Sequence, residues 1–217
     1  MTASHSTWGS PPCSAAALIH RTGVGALTRT APLAVWGDDL GALPDGVQII
    51  PQPFVAMADV RLDPAGPAAT AVAEHLGVAL PTAPSTYVEG ATATAIWLGP
   101  DEWLVTSPFR SPEELETGLA EAIGADGTVV DVSAQRTTVA LRGEHVRDLL
   151  AGGCAIDLHP RVFRRGTAVQ TLLRLAGVVL IALDDNGSHY QVVVRSSFAG
   201  YLTAWLLDAA TEYRASA

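Results

Sequence analysis

With 217 residues, 48% of them apolar, the chain can build one generous domain or two small ones sharing a core, and it is not a disordered sequence. Its net charge of −9 argues against nucleic-acid binding, which needs a positive footprint to displace counterions. All thirteen basic residues are arginine, which excludes a lysine Schiff base or a P-loop lysine within this sequence.

Residues 1–50 read as an irregular N-terminal arm. They hold Pro11, Pro12, Pro32 and Pro44, six glycines and little periodicity. AAALI (15–19) and PLAVW (32–36) are apolar, which suits a segment that orders on a partner; a frayed terminus is the plainer alternative. GVGAL (23–27) lacks the third glycine and the preceding strand of a dinucleotide-binding loop. CSAAALI (13–19) is short, has no basic stretch before it and runs into His20 and Arg21, so no signal peptide is expected. No uncharged apolar run reaches about 18 residues, so no membrane span is expected either. Cys13 and Cys154 form no C-x-x-C pair and too small a set for a disulfide framework. The expected setting is a reducing cytoplasm, without structural zinc.

Residues 51–133 read as a first α+β unit. FVAMADVRLD (54–63) alternates as a strand, and AGPAATAVAEHLG (65–77) carries Val72 and Leu76 four apart, as a helix does. After the Pro-rich ALPTAPSTYVEG (79–90), the runs TAIWL (94–98) and EWLVT (102–106) are strands hinged at Gly99, Pro100 and Asp101. SPEELETGLAEAIG (111–124) opens on a capping box, with Ser111 as cap, Pro112 in first position and Glu114 three residues on. Its buried stripe is Leu115, Leu119 and Ile123. The strand TVVDVS (128–133) closes the unit.

Residues 134–217 repeat a related plan. TTVALR (137–142) is a strand broken at Gly143, and Val146, Leu149 and Leu150 form one face of a short helix. Gly152 and Gly153 are expected to end that helix in the left-handed conformation. AVQTLLRL (168–175), VVLIALD (178–184) and HYQVVVRS (189–196) are strands. The Asn186-Gly187 turn before the last of them calls for positive φ values. The final helix aligns Phe198, Tyr201, Leu202, Trp205, Leu206 and Ala209. The predicted fold class is therefore α+β, two related units packed together.

Chemistry-bearing residues are densest between 131 and 167. Cys154, Asp157 and His159 stand close in sequence, but a nucleophile and its base meet in space, usually from different elements. A buried, inert thiol is the preferred reading. The six histidines, at positions 5, 20, 75, 145, 159 and 189, share no metal-ligand spacing. Asp101 and Glu102 read as a turn rather than an acid/base pair. Arg161, Arg164 and Arg165 could hold a carboxylate or phosphate, but a solvated turn or a set of interface ion pairs is the preferred reading. Trp97 and Trp103 read as core aromatics rather than a stacking platform. No self-sufficient active site is visible.

Several stretches resemble the gamma subunits of heterotetrameric sarcosine oxidases: PFVAMADVRLDP (53–64), LGPDEWLV (98–105), DVSAQRTTVALRG (131–143), LLAGGCAIDLHPRVFRRGT (149–167), TLL (171–173) and VVVRSSFAGYLTAWLLDAA (192–210). Most specific is G-C-x-I-D-L-H-P followed by F-x-x-G and then R-S-S-F-A-x-Y-L-x-x-W-L. The resemblance implies two α/β sandwich-like units with the fold of the folate-binding aminomethyltransferases (glycine-cleavage T-proteins). It also implies oxidative demethylation of sarcosine to glycine, with hydrogen peroxide and either formaldehyde or 5,10-methylenetetrahydrofolate as products. FAD, FMN, NAD, zinc and tetrahydrofolate are then expected on the alpha, beta and delta partner subunits. No catalytic, cofactor-binding or metal-ligating residue is carried over to this chain. The alternatives are a free-standing folate-binding protein of the same fold, an active aminomethyltransferase and a plain interaction module. The first should carry K-G-C-[YF]-x-G-Q-E, where GGCAIDLHP stands here with no lysine available, and the second should have a further C-terminal domain beyond Ala217.

Overall fold

The computed structural model describes residues 29–214. A 3₁₀ turn (Ala34–Trp36) leads into α1 (Gly37–Gly41), β1 (Gln48–Gln52), β2 (Ala56–Leu62), α2 (Pro67–Leu76) and β3 (Tyr87–Glu89). Next come β4 (Thr94–Gly99), β5 (Glu102–Ser107), α3 (Pro112–Ile123), β6 (Gly127–Asp131), β7 (Arg136–Arg142) and α4 (Val146–Ala151). The chain continues through β8 (Ala168–Leu173), β9 (Ala176–Ala182), β10 (His189–Arg195), α5 (Ala199–Ala209) and α6 (Thr211–Arg214). No described helix is long and apolar enough to cross a membrane.

The strands make two five-stranded antiparallel sheets. Sheet A has the order β1-β7-β10-β9-β8, and sheet B the order β3-β4-β5-β2-β6. One plan is used twice: β2-α2-β3-β4-β5-α3, then β7-α4-β8-β9-β10-α5, with matching strand order in each sheet. The strand leading into each repeat is exchanged. β1, just before β2, pairs with β7 in sheet A, while β6, just before β7, pairs with β2 in sheet B.

Alternation along the strands creates three apolar layers, because successive side chains point to opposite faces. Ala58, Val60, Trp103 and Val105 face α2 and α3. Val139, Leu141, Val192 and Leu180 face α4 and α5. Met57, Ile96 and Leu104 of sheet B meet Val179, Ile181 and Val193 of sheet A between the sheets. The order of layers is helix, sheet A, sheet B, helix. Side-chain bonds between strands help join the sheets: the Tyr87 hydroxyl donates to the Ala182 carbonyl at 2.9 Å, and Gln170 Nε2 to that of Leu98 at 2.8 Å.

Local chemistry sets the element ends. Ser111 Oγ accepts from Glu114 N–H at 3.2 Å and Glu114 Oε2 from Ser111 N–H at 2.8 Å, the reciprocal cap expected for α3. Leu115, Leu119 and Ile123 are buried as that spacing requires; each such side chain contributes about 1.5–3 kcal/mol. Gly77, at φ 68°, closes α2 in the left-handed conformation.

Four local expectations need correction. The arm read over residues 1–50 does not extend that far, since Leu33, Leu40, Val47 and Ile49 are buried in the sheet A core. Residues 1–28, with Cys13, AAALI and GVGAL, lie outside the described residues. Gly152 ends α4 in right-handed backbone (φ −67°), so left-handed glycine is not what stops that helix. In the 184–187 turn only Gly187 has a positive φ; the Asp184 carboxylate organises the rest, accepting from the N–H of Gly187 and of Ser188 and from the Ser188 hydroxyl. Finally, the buried face of α5 is Ala199, Leu202, Thr203 and Leu206, which leaves Phe198 and Tyr201 about two-fifths exposed.

Candidate functional site

The dense segment after α4 is held in structural roles. A Cβ on Gly153 would lie 2.5 Å from Trp205 Cζ2, so the ring of α5 rather than backbone conformation demands glycine there. Cys154 is buried, with Sγ 4.0 Å from Thr171 Oγ1, and it bridges to Leu173 at the end of β8. Asp157 Oδ1 accepts the His159 N–H at 2.8 Å and His159 Nδ1 accepts the Arg161 N–H at 3.2 Å. Both side chains therefore organise their own turn. Among the described residues no hydrogen bond joins Cys154 to His159.

The Arg161, Arg164 and Arg165 cluster does not converge on one point. Arg165 reaches Glu89 at 2.8 Å, while Arg161 and Arg164 are exposed. Trp103 is fully buried and its Nε1 donates to the Pro81 carbonyl at 2.7 Å, a core aromatic with its polar handle satisfied. Half-buried Trp97 lies opposite it across the β4–β5 ladder. Asp101 sits in the turn, and Glu102 pairs with Arg61 at 2.6 Å. The neighbouring carboxyl is Asp59, whose pKa burial raises first and Glu102 raises further. That juxtaposition across β2 and β5 has no local sequence signature. Among the described residues no three His, Cys, Asp or Glu side chains gather as a metal site.

Sequence spacing also hides a basic feature. Arg136 and Arg195 are direct partners at one end of the β7–β10 ladder. Like charges placed so are unfavourable without a counter-charge. The ion pairs among the described residues involve Arg61, His145, Arg147 and Arg165, and neither of these two arginines. Among the described residues, Arg136 Nε is buried without an acceptor. Burial lowers the Arg136 pKa first; Asp59 opposes this, Arg195 lowers it further, and Glu102 adds to the opposition.

The two arginines line an open cleft of about 700 Å³ with Gln170, Thr171, Leu172 and Phe198. Its lining comes from sheet A, Ala155 and the turn after β10, with no residue of sheet B. Next to it, a recess of about 560 Å³ opens between Gly153, Cys154, Arg174, Leu175 and Tyr201. Leu172 and Leu175 are 59% and 78% exposed, and the Phe198 and Tyr201 rings meet edge-on at 6.4 Å. The cleft offers guanidinium, amide and hydroxyl donors with an apolar rim. Its lining holds no carboxylate or imidazole to move a proton, so its chemistry is that of holding an acceptor.

Residues 61–212 match the model of the "Sarcosine oxidase, gamma subunit family". The chain belongs to that family. Among sarcosine oxidase gamma subunits it is 32% identical over 175 residues to that of Corynebacterium sp. (strain P-1), covering 80% of this chain and 84% of the relative. It is 34% identical over 162 residues to that of Arthrobacter sp, covering 74% and 78%. A chain of the heterotetrameric sarcosine oxidase from Corynebacterium sp. U-96, in complex with pyrrole 2-carboxylate, superposes with a TM-score of 0.79 at 29% identity. That superposition covers 87% of this chain and 98% of the other. The glycine cleavage system aminomethyltransferase T from Bartonella henselae matches at TM-score 0.53 and 12% identity, over 81% of this chain and 49% of its own length. This chain thus shares its α+β fold with about half of an aminomethyltransferase.

Proposed function

We propose that this chain is a non-catalytic gamma subunit of a heterotetrameric sarcosine oxidase, packing against an alpha subunit to complete the assembly. The observation that carries the reading is the superposition on almost the whole of a chain from such an enzyme. The local chemistry is in keeping: Asp157 and His159 hold their own turn and Cys154 is buried behind α4. The assembled enzyme would oxidise sarcosine to glycine, forming hydrogen peroxide and either formaldehyde or 5,10-methylenetetrahydrofolate. FAD, FMN, NAD, zinc and tetrahydrofolate would reside on the alpha, beta and delta subunits.

The test is affinity capture of the tagged chain from its own host, read by subunit masses and a flavin absorbance scan. Three further subunits arriving with flavin colour, and sarcosine-dependent peroxide formation, are the expected result. A colourless chain recovered alone refutes the assembly role. The non-catalytic part is tested by Cys154→Ser, which should cost about 1 kcal/mol of stability and leave turnover per intact complex unchanged. Lost turnover in a fully flavinated complex would make Cys154 part of the chemistry.

A further inference from the structure

Resting on that reading, we propose that the cleft of Arg136 and Arg195 is a docking surface for a partner-subunit segment bearing an aspartate or glutamate beside an apolar side chain. The carboxylate sits between the two guanidinium groups, and the apolar neighbour covers Leu172 and Phe198.

Charge complementarity carries the argument. The chain is acidic overall, yet these two arginines face each other across adjacent strands and, among the described residues, make no ion pair of their own. Arg136 is half-buried, and among the described residues its guanidinium makes no ion pair and its enclosed Nε has no acceptor, so its charge is only partly compensated from within the chain. A carboxylate placed between the two guanidinium groups adds counter-charge beyond that of the more distant Asp59 and Glu102, and the accessible paired donors of a guanidinium match its two oxygens. Gln170, in the same lining, already donates to Leu98, so the vacant donors belong to the arginines. Exposed Leu172 and Phe198 place apolar area directly beside the charge, the composition of a protein interface core in which arginine and aromatic residues are enriched. Among the described residues, the lining of this stretch of sheet A includes none from sheet B, so sheet B leaves it open to another chain.

The experiment is co-expression of the full chain with the other three subunits and capture through a tag on the largest of them. Wild type is compared with R195E, R195K and the charge-matched control R161E. Each isolated variant is also melted thermally. R195E should reduce the gamma subunit retained per complex about tenfold, equivalent to about 1.4 kcal/mol, while its melting temperature is not lowered, since the Arg136–Arg195 repulsion is removed. R195K should lose less, and R161E should behave as wild type. Retention of R195E at the wild-type level overturns the proposal. So does tight binding of free glutarate by the isolated chain, in calorimetry, if R195E still assembles, since the site then serves a small carboxylate. Failure of the wild-type chain itself to be captured overturns the assembly reading and this inference together. Only that outcome shows no difference because nothing assembles.

Discussion

The two repeats share strand order and helix placement, yet the β-ladder between their first and last strands ends differently. In the first repeat the terminal pair of β2 and β5 is Ala56 with Ser107, both fully buried, and the serine hydroxyl donates to the Thr92 carbonyl at 2.7 Å. In the second, the terminal pair of β7 and β10 is Arg136 with Arg195, bordering an open cleft. One plan has been closed with small, satisfied side chains in one copy and left charged and open in the other. A duplicated architecture can thus be finished as core in one half while the other half keeps a surface for binding.

The largest expected effect tests the exchange of leading strands that joins the halves. Gly143 has φ +132°, and a Cβ there would collide with the Gly46 carbonyl in the loop before β1. Gly143→Ala should therefore lower stability by about 3 kcal/mol or more in urea unfolding, through backbone strain plus a clash that no rotamer relieves. Gly127, at the start of the other exchanged strand, would press a Cβ against the Arg61 carbonyl without a positive φ. Gly127→Ala should cost less than Gly143→Ala; the reverse order would break the comparison.

A step down is Gly153→Ala, where the obstacle is the edge of the Trp205 ring. Overpacking of this kind costs about 1–3 kcal/mol, and Trp205→Leu in the same chain should recover part of it. A full loss in both backgrounds would mean that backbone conformation sets the requirement.

Smaller still is Tyr190→Phe in the second repeat. The Tyr190 ring is fully buried against Phe163, its hydroxyl has no partner among the described residues, and burial pushes its pKa up to about 12. Removing an unpaired buried hydroxyl should leave stability unchanged or raise it by about 1 kcal/mol. In the first repeat, Tyr87→Phe removes the bond to Ala182 and should cost a similar amount.

The mildest test is pH. Burial raises the Asp59 pKa above its ordinary 3.8, so the folded protein holds that proton more tightly than the unfolded chain. Stability from this group is full below the unfolded value and is lost as pH rises through the folded one. In the second repeat, burial and then Arg142 lower the pKa of His189 from 6.5, so its contribution is full above that value and fades as pH falls toward the folded pKa. Asp59→Asn should flatten the acid-side slope of stability against pH, and His189→Gln the slope just below 6.5. Unchanged slopes in equilibrium unfolding would count against these assignments.

Much of the frame was legible because it is local. The α3 capping box, the Leu115–Leu119–Ile123 stripe and the alternating strands each follow from residues within one or two turns of one another. What escaped depends on pairing across long separations. Gln48–Gln52 carries too little pattern to announce a strand, and its partner β7 lies more than 80 residues away. Arg136 and Arg195 meet only through the β7–β10 register, whereas Arg161, Arg164 and Arg165, adjacent in sequence, do not converge on one point. The buried face of α5 departs from its sequence pattern for a related reason: Phe198 and Tyr201 are as apolar as the core, and tertiary packing turns them to the rim.

The exchange of β1 and β6 also orders events at the ribosome. Sheet B is complete once β6 has emerged, since all five of its strands lie between residues 56 and 131. β1 is made before any of them, yet its partner β7 begins only at Arg136. At synthesis rates of about 5–20 residues per second, β1 waits on the order of ten seconds with its edge unpaired. A nascent chain halted just past residue 131 would therefore carry a finished sheet B and a solitary strand with no ladder to join.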